Sequence, residues 1–370
     1  MKHYIMALLC LFLSNKAIAQ MQVSTSTLSG YESNILRFPD QLLVEGELLG
    51  ASELFKSSYF QDIKASIKYT KESRKSIFKI STKAQKRFYF TEAESNRLLA
   101  DFKVNYKRYF SRYTSWENSA QYYIKDQNGL DADENEIGGS FGYKLFNMDS
   151  KLNFSLFKSN RSFISAHYGE KKFNPTETRN VSYSKYGLKA GFKNIKWRNH
   201  LLRSYGFTAA FIQRQYAIES SNEDDGFTSE NRTWNYINTR AFFKIELTKE
   251  WTLYPSLTYE KRLDQSDTRF GYNEITPKIY LSYSGEKISA SVSGSYTQRN
   301  FTDLVVNESD LLNYKYFRLK LNTSYKISNS WSIISQAYIV NRETNNASLN
   351  TVAFRSYNNY YVGFGLQFNF

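Results

Sequence analysis

Cysteine is almost absent: the 370-residue chain has one, Cys10. That excludes a disulfide scaffold and a cysteine-based metal cluster. Only 3 histidines are present, so imidazole chemistry has few candidates. Long apolar runs are missing too. Mean hydropathy is −0.56, and no segment approaches the roughly 20 apolar residues that a membrane-spanning helix needs. Proline numbers 4. What is abundant is aromatic: 30 Tyr, 28 Phe and 5 Trp. So heavy an aromatic load with so little proline argues against a disordered chain. The charge is also lopsided, 49 Lys and Arg against 35 Asp and Glu.

The first segment reads as an address. Lys2 and His3 precede an apolar run of ten, Tyr4 to Leu13, and Ala17-Ile18-Ala19 supplies a small-x-small site. This is the plan of a secretory signal peptide, with cleavage expected after Ala19. Leu9 precedes Cys10 and Leu11-Phe12-Leu13 continue the run, so Cys10 does not read as a lipidation site and is expected to leave with the signal. Removal takes two basic residues, Lys2 and Lys16, and no acids, which lowers the net charge from +14 to +12. An exported chain makes nucleic acid a poor partner for that charge.

Residues 20–370 are expected to form one domain of period-2 alternation. From Lys287 to Tyr296 the even positions are apolar or Gly and the odd ones Lys or Ser. Asp101 to Tyr109 places Phe102, Val104 and Tyr106 opposite Asp101, Lys103, Asn105 and Lys107. Successive strand side chains point to opposite faces, so each stretch has one apolar and one polar face. Soluble antiparallel sheets share this alternation. The breaks add more. Short ones are expected at 70–74, 111–115, 147–149, 193–196, 248–250, 285–286 and 327–330. Long ones are expected near 91–97, 127–134, 165–178, 215–231, 265–270, 301–311 and 344–354. Short turns at one end and long loops at the other are the plan of a transmembrane antiparallel barrel. Fifteen strands fit from about residue 62, and a sixteenth at about 22–33 makes the count even, with fourteen as the fallback. Segment 34–61 is then the first outer loop. Within it Asp40 is positioned to cap a short helix through about Phe55. Its Leu42, Leu43, Val44, Leu48, Leu49, Leu54 and Phe55 need burial in the lumen, against a partner, or within the loop itself.

Trp116, Trp197, Trp251 and Trp331 each open a strand after a short turn. That repetition fits a periplasmic aromatic girdle, where the ring body is buried and the N–H stays wet. Trp234 falls near the opposite end. The final strand carries Tyr360, Val362, Phe364, Leu366, Phe368 and Phe370 at alternate positions and ends on Phe370. With the girdle and the alternation, this resembles a Gram-negative outer-membrane β-barrel. The set Val362, Phe364, Leu366, Phe368 and Phe370 resembles the C-terminal signal read by the barrel assembly machinery. Gly30-Tyr31-Glu32-Ser33-Asn34 resembles the Gly-Tyr-Asp-Ser-Asn first strand of several export-related barrels, with Glu in place of Asp. The Tyr-, Lys- and Asn-rich composition is similar to barrels of the Bacteroidota. The resemblance implies the outer membrane as location and its lipid and lipopolysaccharide, the assembly machinery and other envelope proteins as partners.

If the apolar face meets lipid, the other lines the lumen. It then carries Lys64, Lys68, Lys79, Lys83, Arg87, Lys103, Lys107, Lys185, Lys189, Arg240, Lys244, Arg262, Lys278, Arg318 and Lys320, against the acids Asp101, Glu246 and Glu260. A cleft of one sign concentrates counter-ions. A passive or export-linked pore for anionic solutes or polysaccharide is one reading. Bases that pair with loop acids or merely solvate the wall are the plainer one. A non-transporting scaffold subunit of an assembly or secretion complex is a third, with Phe157, Phe242, Tyr254 and Tyr280 filling the lumen. Pro255 and Pro277 fall on the lipid parity and are expected to mark bulges or strand ends.

No catalytic constellation emerges. His200 adjoins a short turn, and His167 is expected in a long outer loop, with no nucleophile spaced to either as hydrolysis requires. Asp131-Ala132-Asp133-Glu134-Asn135-Glu136 opens like a calcium loop but lacks the Gly at its sixth position and the Glu at its twelfth. Glu223-Asp224-Asp225 and Asp264 with Asp267 read as solvated outer acids. No enzyme activity, cofactor or metal site is expected.

Overall fold

The structure, a computed structural model, describes residues 19–128, 130–131, 139–157, 159–174, 179–195, 201–220, 231–266, 269–351 and 354–370. The expected signal segment up to residue 18, Trp197, His200, Asp133 to Glu136, Glu223 to Asp225 and Asp267 lie outside these residues.

The elements are β1 (Ala19–Glu32), β2 (Gln41–Val44), β3 (Glu47–Gly50), α1 (Ala51–Leu54), β4 (Ser58–Glu72), β5 (Ser76–Tyr89), β6 (Arg97–Tyr109), β7 (Ser115–Asp126), β8 (Leu130–Asp131), β9 (Gly139–Ser140), β10 (Tyr143–Phe154), β11 (Asn160–Phe173), β12 (Arg179–Ile195), β13 (Leu202–Ser220), β14 (Asn231–Glu246), β15 (Trp251–Asp264), β16 (Tyr272–Ser284), β17 (Ile288–Val306), β18 (Asp310–Lys326), β19 (Trp331–Thr344) and β20 (Tyr357–Asn369). Sixteen of these strands form one closed antiparallel barrel, sealed where β1 pairs with β20, while β2–β3 and β8–β9 are small separate ladders. Closure leaves no sheet edge, so every wall strand has neighbours for its backbone polar groups.

The alternation maps onto the two faces. Ile63, Ile67, Phe102, Leu188, Phe211, Leu257, Ile279 and Phe364 are exposed on the outside. Outward apolar side chains without cover are what lipid solvates. Trp116, Trp251 and Trp331 open β7, β15 and β19 at the short-turn end with 42%, 39% and 45% exposure, whereas Trp234 is fully buried. The Trp116 indole Nε1–H donates to Ser150 Oγ at 2.9 Å. Val362, Phe364, Leu366 and Phe370 are exposed along the outer face of β20 and at its end.

Several expectations are corrected. The turn expected at 147–149 is mid-strand: Asn147↔Gln121 and Asp149↔Ser119 continue the β7–β10 ladder. The connection falls at 155–159 instead. Polar Asn147 and Asp149 read as a turn but sit on the wet inner face, while apolar Leu156 and Phe157 occupy the real turn, with Phe157 74% exposed rather than filling the lumen. The loop expected at 165–178 is mostly β11, so His167 is a strand residue. The loop expected at 301–311 is a tight hairpin, turned by Asn307 and Glu308 at φ 49° and 74°. The helix expected from Asp40 is confined to α1, because Glu45 and Gly46 adopt φ 52° and 87° and turn 41–50 into a hairpin. Pro255 and Pro277 mark neither bulge nor strand end. The registers are the same on either side of them, and the β14–β15 and β16–β17 ladders only skip the prolines and one neighbour each.

The seam is held by the Gly30-to-Asn34 motif. Gly30 faces Gly363 across β1–β20. A Cβ on Gly30 would lie 2.1 Å from the Val362 carbonyl oxygen and 2.6 Å from the Phe60 ring, so only Gly fits. Glu32 accepts from Arg87 Nη1 at 2.7 Å and from the Tyr89 hydroxyl at 2.7 Å. Arg87 also donates to Asp62 from Nε at 3.0 Å and Nη2 at 2.6 Å. Its guanidinium lies 4.0 Å from the Phe60 ring centre. Asn359 on β20 donates to Glu32 at 3.1 Å. Asn34 donates to the carbonyls of Phe38 and Asn358 at 2.8 and 3.1 Å.

Arg87→Ala leaves two buried carboxylates without their cation, which costs about 3–5 kcal/mol. The folded, fast-migrating form in unheated gels should then be lost at a lower temperature than in wild type, and an unchanged transition would refute this role. In single-tryptophan variants, lipids brominated near the headgroup should quench Trp116, Trp251 and Trp331 and spare Trp234.

Candidate functional site: a lumen in two halves

The inner face divides along the barrel axis. Toward the loop end, side chains two apart on each strand fall on the same face and build a belt of rings. Tyr123, Tyr143, Phe173, Tyr183, Tyr216 and Trp234 follow one another from β7 to β14, with ring centres 4.8–6.4 Å apart. The belt continues through Phe270 and Phe354 to Phe301 and Tyr314. Tyr183, Tyr216, Trp234, Tyr236, Tyr272, Phe301, Tyr314 and Tyr316 belong to one buried cluster.

Cations are threaded through it. Arg262 lies 4.0 Å from Trp234 and 4.2 Å from Tyr272, and its Nε–H donates to the Phe270 carbonyl at 2.6 Å. Arg214 lies 4.3 Å from Tyr183. Arg299 lies 4.3 Å from Tyr272 and donates to Glu274 from Nε at 2.8 Å and Nη2 at 2.6 Å. Lys171 lies 3.9 Å from Tyr143, and Arg342 lies 4.4 Å from Tyr357. Guanidinium is weakly hydrated and planar, so it tolerates such stacking, and each desolvated contact contributes up to about 2 kcal/mol.

Two loop segments pack together at this end. Phe354, at φ 61°, stacks on Tyr314. Arg355 donates to the carbonyls of Ser348 and Gln41, and the Leu43 N–H donates to Leu349 at 2.7 Å. The β19–β20 loop is thereby tied to the β2–β3 hairpin.

The short-turn half is open and polar. A cavity of about 540 Å³ lies against β5, β4, β1, β20, β19, β18, β17 and β16, eight consecutive strands of the ring. Lys64, Lys83 and Lys320 line it with Gln85, Ser291, Asn322, Gln336 and Gln367, and among the described residues its one acid is Asp62.

The remaining basic positions are dispersed. Arg87 and Arg262 are buried in the clusters above rather than facing a channel. Arg318 lies 4.5 Å from Tyr316, and Lys107 lies 4.9 Å from Tyr109. Lys244 pairs with Glu246 at 3.0 Å, and Glu246 also binds Arg203. Arg240 donates to Ser256 at 3.3 Å. Asp149 accepts from His167 Nδ1–H at 2.8 Å, and Lys103 and Lys185 stand on β6 and β12 of the same wall. Lys68, Lys79, Lys189 and Lys278 stand on β4, β5, β12 and β16. Tyr254 and Tyr280 meet at 5.8 Å, and the Phe242 ring packs over Gly206.

Sequence reading missed the belt and undercounted the inner acids: Glu32, Asp62, Asp149, Asp264 and Glu274 join Asp101, Glu246 and Glu260. The available signal was position, since the belt aromatics that lie on strands sit on inward parity within a few residues of a strand's loop end, whereas Phe270 and Phe354 reach the belt from loops. Among the described residues no three of His, Asp, Glu or Cys converge as a metal site would require.

In sequence, no family model and no curated protein matches the chain. In structure it is similar to OccAB3 of Acinetobacter baumannii, with a TM-score of 0.50 and 10% identity over 95% of this chain and 100% of that one. It also matches the outer membrane channel DcaP of the same organism, with a TM-score of 0.49 and 11% identity over 96% and 99% of the two chains. The likeness to OccAB3 is one of fold: this chain is an outer-membrane-type barrel closed by sixteen antiparallel strands.

Proposed function

We propose that this chain is an outer-membrane pore, passive or linked to export, whose basic lumen favours anionic solutes or polysaccharide. The observation that carries the reading is the polar cavity inside the barrel, with three lysines and one acid on its wall. A barrel of sixteen strands is wide enough for an aqueous path, and an excess of one charge over low-dielectric walls raises the local counter-ion concentration. Lys64, Lys68, Lys79, Lys83, Lys103, Lys107, Lys185, Lys189, Arg240, Lys278, Arg318 and Lys320 are the residues proposed to set that field. Val362, Phe364, Leu366, Phe368 and Phe370 are proposed to direct assembly into the membrane, after export by the signal segment.

One observation favours a second reading. The ring-and-guanidinium belt and the tied loops pack the loop-end half, as expected of a non-transporting scaffold subunit in an envelope complex.

Conductance of the purified chain in planar bilayers separates the two. A pore gives steady current, and a salt gradient gives a reversal potential of anion-selective sign. Combined Lys103→Gln, Lys107→Gln and Lys189→Gln should move that potential toward cations, and an unmoved potential would falsify the basic-lumen reading. Phe354→Gly, which removes the ring at a strained backbone position, should raise the conductance. Silence from barrels shown to be inserted would favour the scaffold.

A further inference from the structure

We propose that Lys64, Lys83 and Lys320 form a binding site for a multivalent oxyanion, a phosphate either free or esterified to a small solute. This deepens the pore reading and rests on it for the route by which the ligand arrives.

The three lysines are brought together by the fold, not by the sequence. On β4–β5 the register pairs Lys64 with Gln85 and Ser66 with Lys83, so Lys64 and Lys83 are diagonal neighbours on the inner face. Such neighbours lie roughly 7–8 Å apart at the backbone, within reach of two long side chains converging on one ion. Lys320 arrives from β18, four steps round the ring through β1, β20 and β19. The charges of Lys83 and Lys320 both oppose that of Lys64, and that of Asp62 favours it.

Asp62 is shared with Arg87 and offsets them only in part. It is buried and gripped through both its oxygens by Arg87. Among the described residues no other acid lines the cavity. Three like charges that face one shared carboxylate are left with too little opposite charge, and an anion relieves that cost. Three positive charges favour a multivalent anion over chloride, which supplies only one negative charge.

The cation chemistry agrees. The arginines near this cavity and in the belt are spent on rings, carbonyls and carboxylates, so planar bidentate recognition is used up in the wall. Lysine presents a compact charge with three rotatable N–H donors, which suits a phosphate oxygen cluster as a point charge. Gln85, Ser291, Asn322, Gln336 and Gln367 supply neutral hydrogen-bonding groups on the same wall. A cavity of about 540 Å³ is of the size that holds a small ligand.

The test is equilibrium titration of the detergent-purified full chain with inorganic phosphate, followed by phosphorus NMR and calorimetry against a chloride background. Saturable binding at one site is expected, weakened about tenfold or more by Lys64→Gln, Lys83→Gln or Lys320→Gln. Lys315→Gln, also on β18 but of the opposite parity, should leave it unchanged. Displacement of phosphate by glucose 6-phosphate supports the site in its esterified form, and resistance supports the free-ion form. Non-saturable binding, or binding indifferent to Lys83→Gln and Lys320→Gln, overturns the proposal. In bilayers phosphate should reduce chloride current in wild type and not in Lys83→Gln. Binding without any conductance would sink the pore reading and keep the site. Conductance without phosphate binding would do the reverse.

Discussion

Closure of the β1–β20 pair is the constraint on which the rest of the molecule depends. An open sheet in a bilayer would leave two rows of backbone N–H and C=O groups facing hydrocarbon, at several kcal/mol per unsatisfied group. The seam is therefore where the chain spends its least replaceable residues. Gly30 and Gly363 let the two strands meet with the Phe60 ring and Leu28 lying across them. Glu32, Asp62, Arg87, Tyr89 and Asn359 tie β1, β4, β5 and β20 by buried charge-assisted bonds. A short motif that looks in sequence like a family signature is, in this molecule, a latch between the first strand and its two neighbours.

Once the wall is closed, its inner surface is free to vary, and it varies along the axis. At the loop end, aromatic rings and guanidinium groups share faces and exclude water. At the short-turn end, lysine, serine and amide side chains border an open cavity. The same net positive charge thus does two different things. Arginine, weakly hydrated and planar, is built into the wall as packing. Lysine, strongly hydrated, stays where water or an anion can reach it. Counting basic residues on the inner parity merges these roles. Arg87 and Arg262 stood beside Lys64 and Lys83 in the sequence pattern, yet the first pair is structural and the second borders the cavity.

Alternation was the most legible signal because it is local. A strand with one lipid face must place apolar side chains at every second position, so the barrel class and the outward set ending at Phe370 could be read directly, while the count of sixteen also needed the rule that such barrels close on an even number. Local reading failed where a residue's polarity and its backbone conformation part company. Asn147 and Asp149 are polar because the lumen is wet, not because the chain turns. Leu156 and Phe157 are apolar and exposed in a turn at the short-turn end. In segment 41–50 a helical spacing of leucines lost to the left-handed turn at Glu45-Gly46.

What the sequence by itself determined is therefore the two-faced strand and the two ends of the barrel, since each follows from neighbours a few residues apart. Only the tertiary structure decided which inward residues meet. The Tyr123-to-Tyr314 belt, the Arg87 clasp on Glu32 and Asp62, and the gathering of Lys64, Lys83 and Lys320 join residues tens to hundreds of positions apart. Their proximity is set by strand register around a closed ring, a property no local pattern encodes.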